Sequence, residues 1–361
     1  MNNEKKLNHW LQDIAGDYPL MIAGPCSAET EEQVLETALK MVDKRVQVYR
    51  AGVWKPRTRP GSFEGVGEKA LPWLKRIKEE TGMKIAIEIA NAEHARLALQ
   101  YDVDILWIGA RTSVNPFAVQ EIADAIKGSD KVILIKNPIN PDLSLWIGAV
   151  ERFYQAGMTN IGVIHRGFSR FRAGEYRNDP NWQIALDFKS KYPNIPMIID
   201  PSHICGRRDC IYDMAQTGLD LQYQGFMIET HINPDEAWSD AKQQVTPTAL
   251  LKIIDKLCLR KQEFQDPETI DKIAFYRSQI NQLDDELLKL LTERMKMAEE
   301  IGKIKQQKSV SVLQSNRWEE IMHKMLEKGS NLGLSEKFIN RIFKAIHQES
   351  IDKQEKIVKN T

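Results

Sequence analysis

Val132-Ile133-Leu134-Ile135-Lys136 is an unbroken aliphatic run closed by a cation. A strand with one face in water alternates apolar and polar residues. A run without alternation predicts a strand buried on both faces, as in a parallel sheet covered by helices. Seven further short apolar runs surround it, at 20–23, 46–51, 84–89, 105–109, 161–165, 197–200 and 225–229, with helix-like stretches between them. Eight such strands spread over roughly 250 residues predict a (β/α)8 barrel. A doubly wound open sheet is the alternative, but no Gly-x-Gly-x-x-Gly follows the first strand to support a dinucleotide fold.

The chain has 361 residues, enough for one large domain and a small one, and 42% of them are hydrophobic. Lys+Arg and Asp+Glu both total 50. A zero balance argues against a nucleic-acid or membrane-surface partner, which would favour a basic excess. Residues 1–16 lack the apolar centre of a signal peptide, and no run approaches the ~18 residues of a membrane helix. The four cysteines, Cys26, Cys205, Cys210 and Cys258, form no Cys-x-x-Cys pair and are too few for a disulfide framework. These features predict a cytoplasmic protein.

The pattern changes near 260–267. Asp266-Pro267 is a helix-start signal, and apolar residues keep helical spacing from there to about 308. A second helix is expected over about 314–328 and a third over 335–356, separated by the breaker 329–333. The expected organisation is a barrel over 1–258, a linker over 259–268 and a helical domain over 269–361. One very long helix with two shorter ones would bury little alone, which predicts a homodimer through this domain.

Barrel active sites lie at the C-terminal ends of the strands. Those ends, with the loops beyond them, supply Arg50, Lys55, Arg57, Arg111, Lys136 and Arg166. So many cations on one face call for anionic partners, because unpaired buried charge is costly. The loop 54–65, with two prolines, two glycines and three cations, reads as a rigid phosphate or carboxylate site. Cys26, His203, Glu229 and Asp240 form a plausible set for Mn²⁺, Fe²⁺, Co²⁺ or Zn²⁺, with His165 and His231 open as substitutes. Taken singly, Cys26 reads as a small buried apolar residue and His203 as a core histidine.

The stretches AGPCS (23–27), YRAGVWKPRT (49–58), IGART (108–112) and DPSHICGRRD (200–209), with Glu229, Ser239 and Asp240, resemble type I 3-deoxy-D-arabino-heptulosonate-7-phosphate (DAHP) synthase of the compact, beta, subfamily. The resemblance covers about 20–248. The related octulosonate-phosphate synthase lacks KPRT in this loop. By the resemblance, Cys26, His203, Glu229 and Asp240 bind a divalent metal, manganese before iron, cobalt or zinc. Arg50, Lys55, Arg111, Lys136 and Arg166 hold phosphoenolpyruvate, while Arg57 and Thr58 reach erythrose 4-phosphate. Lys55 is also a candidate proton relay.

In the tail, Arg294 and Lys305 lie 11 residues apart, about 20° off one face and roughly 16 Å along a helix. Arg277 lies about 100° round the helix from Arg294 and so points elsewhere, free to serve a partner subunit's site. Arg317 opens the second helix, and Ser350 and Gln354 are an i, i+4 pair on the third. By spacing alone this is a solvated charged face on a dimerising bundle. Residues 275–354 resemble the all-helical chorismate mutase, and Arg277, Arg294, Lys305, Arg317, Ser350 and Gln354 match its ligand positions. The resemblance implies conversion of chorismate to prephenate in an intertwined dimer, with Arg294, Lys305 and Gln354 as the catalytic set. The chain departs from that family at Gln314, commonly acidic there, and at Trp318, where the family has a Glu that bonds the substrate hydroxyl. The expected function is bifunctional, with the synthase feedback-inhibited by prephenate. The alternative is a synthase with a non-catalytic sensing tail.

Overall fold

The computed structural model describes residues 9–55, 61, 63–169, 174–260 and 264–359. These form two compact units, which divide between 262 and 263. In the first, eight parallel strands close a barrel in sequence order: β1 (Leu20–Gly24), β2 (Val48–Ala51), β3 (Lys84–Ile89), β4 (Ile105–Ile108), β5 (Val132–Lys136), β6 (Ile161–His165), β7 (Met197–Ile199) and β8 (Gly225–Glu229). Strand β8 pairs back onto β1 from Leu20↔Gly225 to Gly24↔Glu229. Strand β2 begins two residues later than its apolar run, because Val46 is drawn into a turn by its bond to Asp43 O. Strand β7 ends before Asp200, which caps the helix Pro201–Cys205 by accepting from His203 N.

Period-2 alternation divides the barrel residues. Met21, Tyr49, Ile87, Leu106, Ile133, Val163, Ile199 and Phe226 face the surrounding helices. Ile22, Val48, Ala86, Trp107, Leu134, Ile164, Ile198 and Met227 fill the interior. Trp10, on the short helix His9–Ala15, joins the interior cluster. One step of two further along each strand, the inward positions become Gly24, Arg50, Glu88, Gly109, Lys136, Arg166, Asp200 and Glu229. The chemistry therefore sits on the rung above the apolar fill.

The second unit has three helices: Pro267–Gln307, Ser315–Asn331 and Glu336–Lys359. Asp266 caps the first through Thr269 N. The packed part of this long helix is its C-terminal half, where Ala298 and Gly302 are buried. Leu283, Leu287, Leu290, Ile301 and Ile304 remain exposed in the single chain.

Candidate active sites

Two of the cations predicted at the barrel mouth, Arg50 and Lys136, have carboxylate partners within the protein. Arg50, 1% exposed, sits 3.2 Å from Glu229 Oε1, itself fully buried, and donates to Cys26 O at 3.0 Å. Lys55 Nζ lies 2.9 Å from Cys26 O and 3.0 Å from Cys26 Sγ. Lys136 Nζ donates to Asp200 Oδ2 at 2.8 Å, and the same oxygen is 2.8 Å from His203 Nδ1. The Trp107 ring floors this layer, with the Arg50 guanidinium 4.8 Å and Lys136 Nζ 5.8 Å from its centroid. Trp107 Nε1 also donates to Glu88. Gly109 makes room there, since a Cβ would fall 2.0 Å from Glu88 Oε1.

Arg166 and Arg111 differ from the other cations. Among the described residues neither has a carboxylate within ion-pair distance; Arg166 reaches only Gly167 O, and Arg111 is exposed. Burial lowers Arg166 to about 10, and Arg177 and Arg111 push it the same way against Asp200. An arginine held down by burial and by other arginines has an environment that favours an incoming anion. Arg57 and Thr58 lie outside the described residues.

The ligand atoms of Cys26, Glu229 and Asp240 all lie within 4.8 Å of one another. His203 Nε2 comes within 3.7 Å of Glu229 Oε1. Burial pushes the Cys26 thiol up to about 11, with Glu229 adding and Lys55 opposing. Burial also acts to raise Glu229, but His203 and Arg50 outweigh it and hold the carboxyl below its usual value. One thiol, one imidazole and two ionised carboxylates suit a borderline divalent cation, whose charge would also favour the thiolate.

The two substitute histidines are not part of this group. His165 ends β6 with outward parity. Its Nε2 is 2.7 Å from Pro180 O, its Nδ1 3.0 Å from Tyr223 Oη, and its ring packs on Trp146, Phe168 and Trp182. Burial lowers it to about 4, so it is a neutral core histidine. His231 faces Glu29 instead, at 3.4 Å.

In the helical unit, Arg294 Nη1 donates to Ser350 Oγ at 2.6 Å across two helices, and Lys305 Nζ to Val312 O. Gln354 is buried, and its Oε1 has no hydrogen-bond partner among the described residues. His347 shares the third-helix face with Ser350 and Gln354 and stacks on Trp318, with centroids 4.0 Å apart. Burial lowers its pKa, and Arg294 and Lys305 act in the same direction. Arg317 pairs instead with Glu320 on the surface at 3.0 Å, and Arg277 is exposed.

The sequence model of the DAHP synthetase I family matches residues 9–265, most of the chain. The chain belongs to that family. The model of chorismate mutase type II matches residues 276–355. The chain is 32% identical, over 232 residues, to the phospho-2-dehydro-3-deoxyheptonate aldolase of Thermotoga maritima, covering 64% of this chain and 67% of that one. A 2-dehydro-3-deoxyphosphooctonate aldolase of Wolinella succinogenes is 28% identical over 270 residues, covering 66% of this chain and 97% of the relative. The Thermotoga maritima synthase structure superposes with a TM-score of 0.61 at 29% identity, over 67% of this chain and 68% of that one. A truncated form of the Thermotoga maritima synthase gives 0.58 at 26% identity, over 67% and 86%. The chain is an enzyme with both a DAHP synthase and a chorismate mutase domain, of a synthase family that is metal-dependent in general. Its substrates are small anions. Among the described residues no helix is long and apolar enough to cross a membrane.

The sequence reading missed Arg177, Gln243 and His347. Arg177 lies in a loop and Gln243 in the short 3-10 turn Ala241–Gln243, neither with a periodic pattern, and His347 needed the packing of the third helix on the second.

Proposed function

We propose that the barrel (1–258) condenses phosphoenolpyruvate with D-erythrose 4-phosphate to DAHP and phosphate. The helical domain (269–361), beyond a linker at 259–268, would rearrange chorismate to prephenate as a homodimer. The observation that carries the synthase reading is the inward rung of Arg50, Lys136 and Arg166 above Trp107, beside Cys26, Glu229 and Asp240. Arg166 and Arg111 would receive the phosphate of phosphoenolpyruvate, while Arg50, Lys55 and Lys136 orient its carboxylate and shield it from the second anion. Lys55 Nζ lies 3.0 Å from Cys26 Sγ, and from there it would hand a proton to the reacting oxygen. Cys26, His203, Glu229 and Asp240 would hold the divalent cation, manganese first, which when bound polarises the sugar aldehyde.

In the tail, Arg294 and Lys305 would clamp the two carboxylates of chorismate, with the partner's copy of Arg277 completing the site. Gln354, buried on the third helix, would donate from Nε2 to the ether oxygen. Prephenate bound there would inhibit the synthase. The Trp318–His347 stack, where the mutase family carries a glutamate, supports a second reading in which the tail senses chorismate or prephenate without turning it over.

A two-substrate assay on the full chain, with and without prephenate, tests these readings together. Both activities are expected, with a chelator silencing the synthase and sparing the mutase. A chelator-resistant synthase would refute the metal assignment, and no conversion of chorismate would leave only the sensor. Removing residues beyond about 261 should abolish prephenate inhibition, and its persistence would sink the feedback proposal.

A further inference from the structure

Two side chains, one from a loop and one from the 3-10 turn Ala241–Gln243, hold the outer oxygens of Asp240 and Glu229. Arg177 lies beyond β6, and its backbone N–H donates to Cys205 O at 3.1 Å, pinning it to the turn after His203. Gly206 in that turn has φ +71°, and a Cβ there would fall 2.5 Å from Arg177 Cβ and 2.9 Å from its Cδ. The bare glycine lets the arginine cross towards the carboxylates. Arg177 Nη1 donates to Asp240 Oδ1 at 3.0 Å and to Gln243 Oε1 at 2.6 Å. Gln243, 1% exposed, turns its amide the other way, and Nε2 donates to Glu229 Oε2 at 2.6 Å.

A glutamine has one acceptor end and one donor end, so a guanidinium on one side and a carboxylate on the other fix its orientation. The remaining oxygens then face inward. Asp240 Oδ2 lies 3.5 Å from Cys26 Sγ. Glu229 Oε1 lies 3.7 Å from His203 Nε2 and 3.2 Å from Arg50 Nη1.

We propose that Arg177 and Gln243 act as one brace that decides which oxygen of Asp240 and of Glu229 faces the divalent-cation site, and thereby sets its affinity for the cation. This rests on the assignment of Cys26, His203, Glu229 and Asp240 as ligands. Arg177 and Gln243 are positioning residues. Each ties one oxygen of a carboxylate and leaves the other to bind through a single atom.

The test is a Co²⁺ titration of the full chain after dialysis against chelator, followed by the thiolate-to-cobalt absorption band. The wild type is compared with Arg177→Met, Gln243→Met and the double variant. Each single change is expected to weaken Co²⁺ binding about 10- to 100-fold, the range for residues that orient metal ligands. The double variant should lose little more than either single, because the brace works as a unit. Arg177 is 47% exposed, so its removal tests the brace without threatening the core. Single variants that bind within about twofold of wild type, or a double loss equal to the product of the singles, would overturn the brace. A wild type with no thiolate band overturns the ligand assignment itself, and the brace with it.

Discussion

Replacing Arg50 by Met tests whether the buried ion pair or the surrounding fold sustains the synthase site. Arg50 is 1% exposed and Glu229 fully buried, 3.2 Å apart. Removing the guanidinium leaves Glu229 with Gln243 and, at 3.7 Å, His203, and strips Cys26 O of one of three donors, the others being Lys55 Nζ and Gly52 N. Breaking one side of such a pair costs about 3–5 kcal/mol, mostly the uncompensated charge left behind. At about 2–4 °C per kcal/mol for a barrel of this size, Tm should fall by about 6–20 °C. Glu229 would also move up in pKa, because burial already pushes it that way and Arg50 is among the groups holding it down. Synthase kcat/KM should drop by at least about 100-fold, the scale of losing one oriented charge at a reacting anion. Differential scanning calorimetry and a coupled phosphate-release assay read both quantities. Mutase turnover by the same molecules is the internal control. The double variant Arg50→Met/Glu229→Leu should recover most of the lost stability while staying inactive, since apolar replacement of both partners is often neutral. A single variant with Tm within about 2 °C of wild type and synthase activity within threefold would refute the reasoning. So would a double variant less stable than the single.

Three further outcomes are expected. His165 is buried and lowered to about 4, whereas an unfolded histidine takes its proton near 6.5. Its contribution to stability is therefore complete above 6.5 and is lost as pH falls, about 2 kcal/mol by pH 5. His203, also lowered by burial, adds in the same direction, and His165→Gln should flatten the pH profile of Tm. Gly302→Val should cut mutase kcat by about 10- to 100-fold and leave the synthase unchanged, because a Cβ at 302 already meets Gln354 Cα and Cγ at 3.2 Å. Steady-state assays of both activities check this, and equal losses in both would argue against it. Trp318→Glu should raise mutase kcat/KM about fivefold, the worth of one regained hydrogen bond, and a fall would show that the stack on His347 matters more.

The eight strands could be read from the sequence because both faces of each are buried, which makes the runs continuous. Strand β2 was overread by two residues because Val46 is apolar yet belongs to a turn closed on Asp43. Strand-end chemistry could be read for the same geometric reason, but only to within one residue. His165 and Arg166 are neighbours, and without the register nothing says which of them points inward. Arg317 has a plausible position on its helix, yet its side chain is taken by Glu320 one turn on. Arg177 and Gln243 left no trace in the sequence pattern, since hydrogen bonds between a loop and a short turn follow neither period.

The change from apolar to ionisable side chains within one rung of the barrel separates the residues that set its shape from those that set its chemistry. The layer of Ile22, Val48, Ala86, Trp107, Leu134, Ile164, Ile198 and Met227 can stay fixed as a shared platform. The six side-chain-bearing positions above it, outside Gly24 and Gly109, can then be rewritten without reopening the interior. The dependence runs the other way for the platform. A substitution at Trp107 would lift or drop Arg50, Lys136 and Glu88 together, so one interior side chain sets the height of three charged ones.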